Sequence, residues 1–261
     1  MLLENKIALV YGGGGAVGAA VAKAFAEEGA DVIIAGRTQQ NLEAVADEIK
    51  SGNGIAETAV VDAFDSEKVN AHFESVIKKK GRVDIFFNAV GLGDVQGTAM
   101  TEMNYDDFAL PVMNAMKAHF TSSVTAARYM AKQGGGVILT ITANAAKRPY
   151  PDAGGFGVAC AAIEGFCRQL AFENGKQGVR VVCLRSAGSP DTPGVNGVFN
   201  LHAANAGITR AQFDKEFAER TMLKRLPLLR EIANAAVLMS SDKASAVTAA
   251  VLNVTCGELA D

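Results

Sequence analysis

The chain has 261 residues, 49% of them hydrophobic and 20% charged, with a net charge of −3. That balance gives apolar surface for one large α/β domain and argues against a nucleic-acid-binding surface. No apolar run reaches membrane-span length, the first strand starts too early to leave room for a signal peptide, and four cysteines with three histidines show no metal-ligand spacing, so a reduced, cytoplasmic protein with no metal and no membrane partner is expected.

The first predicted strand covers residues 7–10, a continuous apolar run of the kind buried on both faces of a parallel sheet. Gly12, Gly13, Gly14 and Gly15 follow, and only backbone without Cβ turns so tightly and lets a phosphate come close. Val17, Ala20, Val21, Ala24 and Phe25 then recur at helical spacing, with Lys23, Glu27 and Glu28 on the other face. Strand, glycine turn and helix N-terminus together make an anion site for a dinucleotide, with Gly12, Gly14, Gly15, Ala16, Val17 and Gly18 as its residues. The alternative is a glycine turn that merely connects two elements.

A second strand covers 31–36 and ends at Arg37 and Thr38. An acidic residue there would take the ribose 2′-OH of NAD, whereas an Arg accommodates the 2′-phosphate of NADP, so NADP(H) is expected to be preferred over NAD(H). A plain surface Arg is the competing explanation. A helix over 41–50 and a third strand over 55–61 lead to Asp62 and Ala63, with the carboxylate placed to accept from an adenine amine. A helix over 66–80 has Ser66 as its N-cap and Lys78-Lys79-Lys80 as a solvated C-terminal cap. The fourth strand, 83–87, runs into Asn88, Ala89, Val90 and Gly91. This alternation predicts a Rossmann-type, doubly wound parallel sheet of about seven strands flanked by helices, with ligands at the carboxyl ends of the strands.

These motifs resemble the short-chain dehydrogenase/reductase family over essentially the whole chain. YGGGGAVG, from Tyr11 to Gly18, is similar to the family's TGxxxGxG, with Ala16 at the middle glycine. NAVG, from Asn88 to Gly91, resembles NNAG, and VLNVTCG, from Val251 to Gly257, resembles the closing VLNVDGG. Ala187 to Thr192 stands where the family has PGxxxT, with Ala187 in place of the proline. The resemblance implies a single NADP(H)-binding domain over 1–261, a substrate loop over about 186–219, a small-molecule substrate and a homo-oligomer, tetramer or dimer. It also puts the family's catalytic Asn at Asn114, in a central helix over 108–132; an Asn bonded to backbone in a buried helix is the alternative.

After a fifth strand over 137–141 the family carries a Ser, then a Tyr, then a Lys one helical turn further on. Here those positions fall on Ala143, Phe156 and Cys160, because FGVACAA stands in place of YGASKAA. The phenol, the cation that acidifies it and the hydroxyl that polarises a carbonyl are all replaced. Three other groups could stand in. Tyr150 lies in the loop before this helix, Cys160 would be a nucleophile if the helix N-terminus acidified it, and Thr142 has a hydroxyl but faces the other side of the sheet. The remainder reads as a sixth strand over 179–184, a Gly-, Pro- and Asn-rich covering loop over 186–208, helices over 209–219 (capped by Thr209) and 231–240, and an apolar wall from Phe199, Leu201 and residues 222–229. Two functions stay open. One is an NADP(H)-dependent oxidoreductase acting on a carbonyl, alcohol or activated alkene by hydride transfer with a non-standard proton donor; the other is a catalytically silent relative acting as an NADP(H) sensor or structural subunit.

Overall fold

The structure, a computed structural model, describes residues 1–260. Seven strands, β1 (Ile7–Tyr11), β2 (Asp31–Gly36), β3 (Ile55–Val60), β4 (Ile85–Asn88), β5 (Gly136–Ala143), β6 (Val179–Ser186) and β7 (Ala250–Val254), form one sheet in the order β3-β2-β1-β4-β5-β6-β7. Every pairing is parallel. Between them run α1 (Ala16–Glu27), α2 (Gln39–Ser51), α3 (Ser66–Lys80), α4 (Tyr105–Lys132), α5 (Phe156–Asn174), α6 (Pro193–Asn205), α7 (Arg210–Glu219) and α8 (Leu229–Ser240). This is the Rossmann-type arrangement that the alternation of apolar runs predicts.

The two-residue period of the strands divides the core into two layers. Ala8, Val10, Ile34, Phe87 and Leu139 pack with Val21, Phe25 and Ile232 on the side of α1 and α8. Leu9, Tyr11, Ile33, Phe86 and Ile138 pack with Phe73, Ala126 and Ile163 on the side of α3, α4 and α5. Each such large side chain contributes about 1.5–3 kcal/mol by leaving water. The strand order reverses between β1 and β4, so a crevice opens at the carboxyl ends of this pair, where Tyr11 stands in register with Asn88.

Three local expectations need correction. The N-cap of α3 is Asp65 rather than Ser66: its carboxylate accepts from the N–H groups of Glu67 and Lys68, each at 3.1 Å. The lysines ending α3 do not form a merely solvated cap, because Lys80 Nζ bridges Asp31 at 2.6 Å and Glu57 at 2.8 Å, tying the helix to β2 and β3. The stretch read as a covering loop from 186 contains α6, which starts with Pro193 in its first turn. Phe199 and Ala203 of α6 pack with Phe213, Phe217 and Leu226, and this contact outweighs the poor helix propensity of Gly194 and Gly197. No helix among the described residues is long and apolar enough to cross a membrane.

Candidate active site

A cavity of about 310 Å³ occupies the crevice. It is lined by Tyr11, Gly12, Gly14, Gly15, Arg37, Thr38, Asp62, Ala63, Ala89 and Gly91, together with Asn41, Leu42 and Phe64, which carry no motif signal in the sequence. Gly12 has a φ of 73°, and a Cβ on it would stand 2.3 Å from the Ala89 carbonyl oxygen. A Cβ on Gly18 would meet the Gly12 carbonyl oxygen, again at 2.3 Å, so strand, turn and helix touch backbone to backbone. No side chain caps α1, and the N–H groups of its first turn, from Ala16, Val17 and Gly18, have no intrahelical acceptor. That is a cradle for a phosphate, and it fits a dinucleotide. Ala16, Val17 and Gly18 do not themselves line the cavity; Val17 packs against the core, and these residues can contribute only through backbone.

Asn88 departs from its expected place. It is fully buried and clamps the turn after β4, with its Nδ2 donating to Ser122 Oγ at 2.9 Å and its Oδ1 accepting from Val90 N–H at 3.1 Å. Asp62 reaches the cavity wall with Oδ1 held by the Phe64 N–H at 3.0 Å. Arg37 is exposed at the rim and makes no ion pair or hydrogen bond among the described residues. Thr38, the N-cap of α2, makes no side-chain cap bond. A guanidinium, a hydroxyl and a helix N-terminus therefore stand together beyond β2. Tyr11, where the resemblance has Thr, shares a hydrogen bond of 3.0 Å between its hydroxyl and Nδ1 of His72; burial pushes the phenol up and holds the imidazole at about 4, so the pair is neutral.

On the other side of the crevice, Ala143 ends β5, Phe156 opens α5, and Cys160 lies one turn further in, 1% exposed. Burial pushes the Cys160 thiol up to about 12, so the helix terminus does not make it a nucleophile. Thr142 donates to Glu164 Oε1 at 3.2 Å, beside a buried two-pronged pair of Glu164 with Arg185 at 2.7 Å for each contact, and takes no part at Ala143. Asn114 donates from Nδ2 to the Leu92 carbonyl at 2.9 Å, the backbone-bonded alternative.

Tyr150 is half-buried and donates to Gln96 Oε1 at 3.2 Å. Gln96 donates from Nε2 to Asp94 Oδ2 at 2.6 Å, and His202 of α6 meets Gln96 Oε1 at 2.9 Å. Burial, reinforced by the Asp94 charge, pushes the Tyr150 phenol up, so it keeps its proton at neutral pH. Asp94, Gln96 and His202 belong to no motif; only the folded chain brings them to Tyr150.

A family profile described as enoyl-(acyl carrier protein) reductase matches residues 14–258. The chain is 30% identical over 255 residues to a 7α-hydroxysteroid dehydrogenase of Escherichia coli, covering 98% of this chain and 94% of that protein. A solved structure of a 7α-hydroxysteroid dehydrogenase complexed with NADH and 7-oxo glycochenodeoxycholic acid superposes with a TM-score of 0.86 at 29% identity, covering 98% of this chain and 94% of that one. Sorbitol-6-phosphate 2-dehydrogenase SrlD from Erwinia amylovora superposes with a TM-score of 0.91 at 26% identity, covering 97% and 100%. With its sheet order, its glycine cradle and a profile match along nearly its whole length, the chain belongs to the short-chain dehydrogenase/reductase family of oxidoreductases.

Proposed function

We propose that the protein is an NADP(H)-dependent oxidoreductase that moves hydride between the nicotinamide and a carbonyl, alcohol or activated alkene of a small molecule. The observation that carries the cofactor choice is the uncommitted Arg37 at the rim of the cavity, beside Thr38 and the N-terminus of α2. A 2′-phosphate placed there gains charge-assisted hydrogen bonds, whereas a 2′-OH has no carboxylate to bind. The bound nicotinamide supplies the hydride. The chain's own residues supply the cradle at Gly12 to Gly18, the adenine wall at Asp62 and Ala63, and the rim at Arg37. The substrate's proton must come from a group other than the family tyrosine, because Phe156 has none to give; Tyr150 is the phenol nearest to that role.

A second reading rests on Ala143, Phe156 and Cys160 together. Three replaced groups in one relay favour a silent relative that binds NADP(H) as a sensor or serves as a structural subunit. In either case the chain acts as one NADP(H)-binding domain over 1–261, in the cytoplasm, as a homotetramer or dimer. The exposed Met113 and Phe120 of α4 and Val158 and Phe172 of α5 offer a face for a second copy. Fluorescence titration of NADPH and NADH tests the cofactor choice; equal affinities would sink it. Assay of the NADPH-binding protein against a broad carbonyl panel then separates the two readings, with turnover favouring the enzyme and none favouring the sensor.

A further inference from the structure

The positions of the lost relay are apolar, but the connections beside them are polar. Ala143, Phe156 and Cys160 offer a methyl, a phenyl ring and a protonated thiol. Asp94 sits between Gly93, on which a Cβ would stand 3.2 Å from Asn114 Nδ2, and Val95, whose carbonyl oxygen lies 2.9 Å from where a Cβ on Gly154 would be. The carboxylate is thus bracketed by the family's Asn position and the start of α5, and its charge acts on both Tyr150 and Cys160.

The hydrogen-bond inventory of this cluster is determinate. A carboxylate only accepts, so the Gln96 nitrogen faces Asp94 and its oxygen faces Tyr150 and His202. An amide oxygen also only accepts, so His202 carries its proton on Nε2. Asp94 Oδ1, the second N–H of Gln96 and the lone pairs of Tyr150 remain unused. None of these atoms is sealed from solvent without a partner, and Asp94 has no cationic partner among the described residues. From α6, His202 closes on Gln96 and Asn205 donates to the Gly97 carbonyl at 3.0 Å, so two connections and a helix meet around one acceptor–donor–acceptor array.

We propose that Asp94, Gln96 and Tyr150 form a recognition site for a vicinal diol, or the matching α-hydroxyketone, carried on an otherwise apolar ring or chain. The inference deepens the oxidoreductase reading and rests on it for the ligand's place beside the nicotinamide. One hydroxyl donates to Asp94 Oδ1. The neighbouring oxygen accepts from the free Gln96 N–H or, as a hydroxyl, donates to a Tyr150 lone pair, and the apolar remainder lies on Ala143 and Phe156. A ligand with a single oxygen leaves either the Asp94 carboxylate or the free Gln96 N–H without a partner, which weakens binding by about tenfold or more. A ligand carboxylate at the same place is repelled by Asp94.

The test is ligand-detected NMR titration of trans-1,2-cyclohexanediol against cyclohexanol, and of 2-hydroxycyclohexanone against cyclohexanone, on the protein with and without NADP⁺. The expected result is a preference of about tenfold or more for the two-oxygen member of each pair. That preference should collapse towards unity in Asp94→Ala and in Gln96→Met; thermal melts establish that each variant is folded. Equal affinities within each pair, binding of neither member, or a preference that persists in both variants overturns the proposal. Titration of NADPH on the same sample keeps the two ideas apart. Cofactor binding without diol preference removes this inference alone, and absent cofactor binding removes the oxidoreductase reading while the pairs still report on the site in the apoprotein.

Discussion

The two sides of the crevice are built from different material. On the β1–β2 side the proposed anion site is backbone: a left-handed Gly12, a Gly18 that lets helix and turn touch, and the open first turn of α1. On the β5–α5 side the resemblance puts the family's chemistry in side chains, and in the proposed reading Ala143, Phe156 and Cys160 stand in their places. A backbone site persists as long as the fold does, since any Cβ at Gly12 strikes Ala89. A side-chain site can change without disturbing the fold. Phe156 fills nearly the volume of a tyrosine, and Cys160 is buried like a small hydrophobe. Fold and cofactor cradle therefore say little about which chemistry remains.

The comparison breaks most visibly if the side-chain half is rebuilt. On the silent reading the parent protein should show negligible NADPH-dependent reduction of simple ketones, and on either reading Phe156→Tyr alone should change little, because without a neighbouring Lys the phenol keeps a pKa of about 10. The triple change Ala143→Ser, Phe156→Tyr, Cys160→Lys should gain about 10²–10⁴-fold over the best single change, measured by NADPH oxidation. A melt should accompany that assay, since a Lys at the 1%-exposed Cys160 position is dehydrated.

In the backbone half, Gly12→Ala should lower stability by about 3 kcal/mol in denaturant titration and abolish saturable NADPH binding. Left-handed strain and the 2.3 Å clash with Ala89 act together there. A comparable effect is expected from acid on the side-chain half. His119 of α4 is 2% exposed, its Nδ1 has no partner, and burial lowers it from 6.5 to about 4. The folded state binds its proton less readily than the unfolded state, so stability is full above pH 6.5 and is lost as pH falls through about 4, by about 3 kcal/mol in total. Denaturant midpoints of the parent and His119→Gln between pH 7 and 5 should diverge, with the parent the steeper; parallel curves would remove His119 as the cause. Smaller again, Arg37→Ala should weaken NADPH by about ten- to a hundredfold and leave NADH nearly unchanged, with the difference shrinking at high salt because Arg37 is exposed.

Much of this was legible in the sequence, for reasons that also mark the limits. β2 and α3 have the bounds that their apolar pattern implies, and the order of strands and helices follows from alternating runs and glycine punctuation. The cradle was visible because its geometry at Gly12 and Gly18 leaves no room for a Cβ. α6 was hidden, because Phe199 and Ala203 make it a helix by packing against α7 rather than by propensity. Asn88 could bond a ligand or its own turn; the valence is the same, and only the position of Ser122, 34 residues away, decides between them. Gln96 and His202 are separated by 106 residues and no local pattern links them. Polar clusters assembled across loops leave no periodic trace.

The most direct measurement compares the two halves of one ligand, by calorimetric titration of NADPH and of adenosine 2′,5′-bisphosphate. If the backbone half with Arg37 does the binding and Cys160 leaves the nicotinamide ribose ungripped, the fragment should bind within about tenfold of the whole cofactor. NADPH tighter than the fragment by about a thousandfold or more would mean that the β5–α5 side still holds the nicotinamide, and would contradict the division drawn between the two sides.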